Sequence, residues 1–113
     1  MSHAANVSIT NSNGSNVVSV DISQLKPNGA RKIVWTVTTS GWEFATNGIV
    51  IDDNNYNQFS NSSLYANNQK FSWDDANTDT RLYKYTVNVQ PVGQPTLGAS
   101  LDPQIQNGNN PPE

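Results

Sequence analysis

Asp75, Asn77 and Asp79 alternate in "DDANTD", the spacing of the first three oxygen ligands of an EF-hand loop. Clustered side-chain oxygens of this kind suit a hard cation, so a calcium site is the alternative here to the expectation of no cofactor. The rest of that motif does not follow. Thr80 stands at the sixth position, where glycine makes the sharp turn, and Thr86 at the twelfth, where a bidentate glutamate closes the shell. The competing reading is an Asx-rich turn whose side chains bond the local backbone. On that reading, which the pattern favours, the stretch is a hairpin-type connector between a strand ending at Trp73 and one starting at Arg81.

A second constellation is aromatic. Trp73 adjoins Asp74 and Asp75, and Tyr56 and Tyr65 lie in the polar stretch before it. Convergence of these five residues would suit a sugar, whose hydroxyls meet carboxylates while its apolar face stacks on a ring. Ordinary packing under a long loop is the alternative. A third pairing involves Glu43 and Asp52. If Asn47-Gly48 is a two-residue hairpin turn, these carboxylates oppose each other on the sheet, where like charges destabilise. A flat sheet implies no cleft for two-carboxylate catalysis, so solvated carboxylates at an open hairpin end are the expectation. The single histidine is His3, in an N-terminal stretch expected to be disordered, and there is no cysteine. Nucleophile–base pairs therefore lack a base of suitable pKa, and no glycine-rich phosphate loop occurs. The reading is a protein that is not an enzyme.

The elements that must position these residues are short and polar. The 113 residues suffice for one domain, and net charge −3 with 13% charged residues argues against nucleic acid and anionic membrane surfaces as partners. Polarity comes from 17 Asn, 12 Ser, 9 Thr and 7 Gln, which favour turns and strand borders over helix interiors. No stretch approaches the ~20 apolar residues of a membrane span. "MSHAANVSIT" has neither a basic segment nor an apolar run, so a soluble cytoplasmic protein is the default, with a secreted mature form as the alternative.

Period-two alternation recurs throughout. Val7 and Ile9 share a side, as do Val18, Val20 and Ile22; Ile33, Trp35 and Val37; and Tyr83, Tyr85, Val87 and Val89. Trp35 and Trp42 read as core or core rim. "NSNGS" and "KPNGA" supply turn chemistry, and Asn47-Gly48 between two apolar runs predicts a type I′ hairpin. Residues 52–69 read as one long loop carrying Tyr56, Phe59, Leu64 and Tyr65. The Pro/Gly/Asn-rich C-terminal segment has Leu101 and Ile105 to anchor an edge segment. The fold class is all-β: a single antiparallel β-sandwich of immunoglobulin-like or Greek-key type. The domain spans 5–107, with 108–113 a flexible tail.

The run "FSW…RLYKYTVNV…LDPQIQN" resembles the DP-EP family of small uncharacterised bacterial proteins and, more distantly, the AidA/PixA inclusion-body proteins. Tyr83, Tyr85, Val87, Asp102, Pro103, Ile105 and Asn107 carry the likeness, over the C-terminal third. The resemblance implies bacterial origin and a compact all-β domain, and supplies no activity or ligand. Three functions follow as expectations. The first is a small binding or accessory module engaging a protein through a sheet edge or the 52–69 loop. The second is a carbohydrate-binding module using Trp73 and the loop tyrosines, calcium-assisted or not. The third is a structural or storage protein that self-associates through its edges. The partner is thus an unknown protein or a glycan, and the chain a monomer or weakly self-associating.

Overall fold

The computed structural model describes residues 2–108. Ten strands follow in order: β1 (Ala4–Ser12), β2 (Ser15–Val20), β3 (Gln24–Leu25), β4 (Arg31–Val37), β5 (Trp42–Ile51), β6 (Phe59–Tyr65), β7 (Lys70–Asp75), β8 (Leu82–Pro91), β9 (Ala99–Leu101) and β10 (Gln104–Gln106). One 3₁₀ turn at Pro95–Leu97 precedes β9. Alternation sends Ala5, Val7 and Ile9 of β1 and Val18 of β2 to a buried face. The chain reverses between these strands at Asn13 and Gly14, whose φ values of 51° and 81° are the left-handed pair that a type I′ turn requires.

Asn47-Gly48 does not repeat this, and the hairpin expected there is absent. β5 is one continuous strand: residues 42–44 and 49–51 both pair with β8, and residues 45–48 bulge out opposite Asn88 alone. Gly48 is not left-handed. A Cβ there would lie 2.8 Å from that of Phe44, so close approach, not turn geometry, calls for glycine. Because both halves pair with the same neighbour, Glu43 and Asp52 never oppose each other. Glu43 faces Gln90, and Asp52 follows the last residue of the strand.

The strands form two sheets, ordered β2-β1-β4-β7-β6 and β3-β10-β8-β5, with β9 also paired to β8. The all-β sandwich is as expected, but its sheets are mixed, not purely antiparallel. β1 runs parallel to β4, and β10 parallel to β3, because the chain changes sheet between these partners in sequence. Trp35, Tyr85 and Val87 are fully buried between the layers, whereas Val20 is half-buried and Val18 lies deeper. Trp35 Nε1 donates to the Tyr85 hydroxyl at 3.0 Å, with ring centroids 5.2 Å apart, so this pair links the two sheets by a hydrogen bond and an aromatic contact. Burial pushes the Tyr85 phenol up to about 12, against the opposing pull of the Trp35 N–H.

Three further expectations change. Residues 52–69 are not a single loop, since β6 within them pairs antiparallel with β7 and forms the edge of its sheet. "DDANTD" is not a hairpin connector: residues 76–81 carry the chain from β7 in one sheet to β8 in the other. β10 is an interior strand between β3 and β8, not an edge. The N-terminus is also placed. Ser2 N donates to the Lys26 carbonyl and Ser2 Oγ accepts from Lys26 N, while the His3 carbonyl accepts from Val34 N. Among the described residues no helix is long and apolar enough to cross a membrane.

Candidate functional site

The crossover at 76–81 is held by side chains distant in sequence. Asn77 N donates to Asp75 Oδ1 at 2.9 Å, the Asx turn expected from this composition. The Asn77 side chain then reaches outward. Its Nδ2 donates to the carbonyls of Gly29 (2.9 Å) and Gly108 (2.8 Å), and its Oδ1 accepts from Gly108 N at 2.7 Å. Gly108, expected in a flexible tail, is thereby fastened; residues 109–113 lie outside the described ones. Gln58, just before β6, bonds Thr78 through Nε2 to Oγ1 (2.8 Å) and through Oε1 to the backbone N–H (2.7 Å).

Behind the crossover lies a buried polar network. Asp75 points inward from the end of β7 and is 2% exposed; Asn107 follows β10 and is 1% exposed. Asn107 Nδ2 faces Asp75 Oδ1 (3.2 Å), Asp79 Oδ1 (3.0 Å) and Gln58 Oε1 (3.4 Å). Asp79 Oδ2 accepts from the Tyr83 hydroxyl at 2.6 Å, and its Oδ1 from Arg81 N at 3.3 Å. The two carboxylates respond differently. Burial pushes the Asp75 carboxyl up to about 6, against its bonds from Asn77 N and Asn107, and the Asp79 charge adds to the rise. Burial also pushes Asp79 upward, but bonds from Tyr83, Asn107 and Arg81 N, with the Arg81 charge, outweigh it and hold Asp79 below the usual range. Burial first, then the bond to Asp79, raises the Tyr83 phenol.

This arrangement does not gather the three acidic-loop residues into a calcium shell. Asn77 Oδ1 and both Asp79 oxygens are occupied by N–H or O–H donors, which leaves one oxygen of Asp75. Among the described residues no group of three or more His, Asp or Glu side chains is placed to hold a metal ion.

The five residues considered for a sugar are likewise dispersed. Trp73 is half-buried against the core, and its Nε1 donates to the Ile49 carbonyl at 2.8 Å, capping the outer edge of β5. Asp74 points to the other side from Asp75, 3.5 Å from Lys32 and accepting from Asn61 at 3.0 Å. The Asn61 bond and the Lys32 charge lower its pKa. Tyr65 is paired with Lys70 at the far end of β7, roughly 17 Å from Asp75 at the usual strand rise. Glu43, the other carboxylate considered, is buried. It accepts from Gln90 (2.7 Å), Gly93 N (3.2 Å) and Asn68 (3.3 Å), and the Gln90 and Gly93 bonds hold its pKa below the usual range.

Asp74 and Asp75 line an open cleft of about 330 Å³ with Arg31, Lys32 and Ser60, and Tyr56 stands at a separate recess. The Arg81 guanidinium carbon lies 3.7 Å from its ring centroid, and Tyr83 meets it edge-on at 6.4 Å. These residues, with Leu82, Lys84, Asp52 and Asp53, line a groove of about 310 Å³. Tyr56 is 41% exposed and Leu82 49%. Arg81 also lines an open polar cleft of about 630 Å³ with Asn77, Thr78, Asp79, Thr80 and Gly108. Among the described residues the Arg81 guanidinium forms no ion pair or hydrogen bond, so its donors are free.

Arg81, Leu82, Lys84, Gln58 and Asn107 were not among the candidates read from sequence. Only Asn107 carried a signal, as part of the family resemblance. The positions carrying that resemblance meet in space: Ile105 is paired with Tyr83, Tyr85 N donates to the Pro103 carbonyl at 3.0 Å, and the Thr86 hydroxyl contacts Asp102 at 2.9 Å. Compared with known proteins, the chain matches no family model, and no curated protein is significantly similar to it.

Proposed function

We propose that the protein is a non-enzymatic binding module whose ligand is a carboxylate-bearing protein segment seated on the Tyr56–Arg81–Leu82 groove. The observation that carries this reading is the exposed guanidinium of Arg81, stacked on Tyr56 at 3.7 Å with its donors unused. Stacking pre-orients a planar fork that fits carboxylates bidentately, and Tyr and Arg are the residue types that dominate interface energetics. Leu82 supplies apolar contact beside them. Lys84, Asp52 and Asp53 line the same groove, so the complementary segment is of mixed charge. The sheet-edge and loop routes to a partner, separate in the sequence, lie on one continuous segment, because the loop 52–58 leads directly into edge strand β6.

The test is selection of peptides from a displayed random library on the folded chain. Enriched peptides should contain an acidic residue. They should lose about tenfold or more in affinity against Arg81→Lys and Tyr56→Ala, while Asn16→Ala leaves binding unchanged. Failure to enrich, or equal affinity for all variants, sinks the reading. A glycan ligand is the second reading, favoured by Tyr56 lining one groove with Asp52 and Asp53. A glycan array with hits that vanish in Tyr56→Ala would move the function to sugars.

A further inference from the structure

Within the buried network two oxygens have no hydrogen-bond partner among the described residues: Asp75 Oδ2 and Asn107 Oδ1. Leaving such groups unsatisfied in the interior is costly, and each calls for an explanation. Both are acceptors when Asp75 is ionised, so neither can satisfy the other without a proton. The orientation of the amide is not in question, because its Nδ2 faces three acceptor oxygens and a flipped amide would set oxygen against oxygen. One edge of the two groups is already joined, with Asn107 Nδ2 donating to Asp75 Oδ1 at 3.2 Å. A carboxyl and a primary amide joined in this way have a second edge, made of the two atoms left over here.

We propose that in mildly acidic solution Asp75 carries a proton on Oδ2 in the native fold and donates it to Asn107 Oδ1, closing a two-edged acid–amide pair that latches the segment after β10 onto the end of β7. The pair bridges elements far apart in sequence, and apart from the bonds donated by Asn77 N and Asn107 Nδ2, which favour the ionised form, no group facing Asp75 stabilises its charge. From the crossover, Asp79 presents a negative charge that opposes a second one. From β8, the Tyr83 hydroxyl is committed to Asp79. From β6, Phe59 stands opposite Asp75 in the register and is buried, offering no donor. From β4, Arg31 stands opposite in the register, but its side chain is exposed and its Nε donates to the Asn28 carbonyl. Asp74 and Lys32 pair with each other on the other side of the strand. Asp75 itself forms no ion pair among the described residues.

The sign of the pH dependence follows. The folded-state value near 6 lies above the ordinary 3.8, so the latch is complete at low pH and is lost as pH rises through about 6. A difference of this size corresponds to a change on the order of a hundredfold in the folding equilibrium. The latch does not depend on what the groove binds, and neither does its test.

The test follows the Asp75 side-chain carbon by NMR across pH in the full chain, alongside equilibrium unfolding of Asp75→Asn. An asparagine keeps both edges of the pair at every pH. The wild-type carbon should titrate near pH 6. Asp75→Asn should unfold at higher denaturant than the wild type at about pH 8, and should lose the decline between about pH 4 and 7. Amide exchange at Asn107 and Gly108, corrected for intrinsic rate, should quicken above about pH 6 in the wild type only. Titration at or below the ordinary carboxyl value would overturn the proposal, as would an Asp75→Asn variant less stable than the wild type at about pH 8. So would a rise in wild-type stability on adding calcium ions, which would make the two oxygens cation ligands.

Discussion

At residue 77 the backbone is left-handed, with φ 51°, and the side chain bonds two separate segments at Gly29 and Gly108. Asparagine suits both demands: it tolerates this conformation and offers a donor and an acceptor on one short arm. Asn77→Ala loses the bonds and keeps the strained φ, so it should cost about 2–4 kcal/mol in urea unfolding. Asn77→Gly relieves the φ and should recover only part of that loss. Equal stability of the two variants would assign the whole effect to the side-chain bonds. The sequence showed that "DDANTD" would use its side chains on local backbone, as the Asx turn at Asp75 does. It did not show the reach to residues 29 and 108, since nothing in a six-residue window names a partner about 48 or 31 positions away.

Among elements, the two Asn-Gly pairs at 13–14 and 47–48 show where local chemistry decides and where it yields. The same dipeptide turns the chain in one place and sits within a strand in the other. At 13–14 the flanking residues pair with each other across the turn. At 47–48 both flanks pair with β8, whose buried Tyr85, Val87 and Val89 offer a larger apolar face than a local hairpin could. The two glycines should therefore fail differently. Gly14→Ala meets open space but a φ of 81°, and should cost about 1–2 kcal/mol. Gly48→Ala drives a methyl against Phe44 Cβ and ring carbons at 2.8–3.0 Å, and should cost about 1–3 kcal/mol through overpacking. A smaller residue at position 44 should couple to Gly48→Ala and not to Gly14→Ala in a double-mutant cycle by denaturant unfolding. β6 was hidden for a related reason. An edge strand reading "FSNSSLY", with residues 60–63 exposed, carries no alternation to detect.

At the scale of the whole molecule the two sheets are fastened at several points besides apolar contact. Trp35 Nε1 reaches Tyr85 across the core, while Phe44 N reaches the Asn68 carbonyl (2.8 Å) and Gln69 Nε2 the Trp42 carbonyl (2.8 Å) along the β5 edge. Tyr85→Phe removes the acceptor of a buried indole N–H and should destabilise by about 1–3 kcal/mol. Trp35→Phe in the same chain should make the hydroxyl loss smaller, a coupling measurable by thermal or denaturant unfolding. The β5 edge is thus stitched to the opposite sheet, whose own outer strands are β2 and β6.

The sequence by itself determined the fold class and most of the core. Alternation is a property of neighbouring residues, and burial of Trp35, Tyr83, Tyr85, Val87 and Val89 follows from it wherever the strands pair. Which strands pair, and in which sense, was decided only in three dimensions, because the parallel β1–β4 and β3–β10 contacts arise between segments that local pattern cannot connect. The groove at Tyr56 and Arg81 and the network at Asp75 and Asn107 belong to the same category. Each gathers residues 25 or more positions apart, and hydrogen bonds and ring contacts at that separation exist only once both sheets have closed.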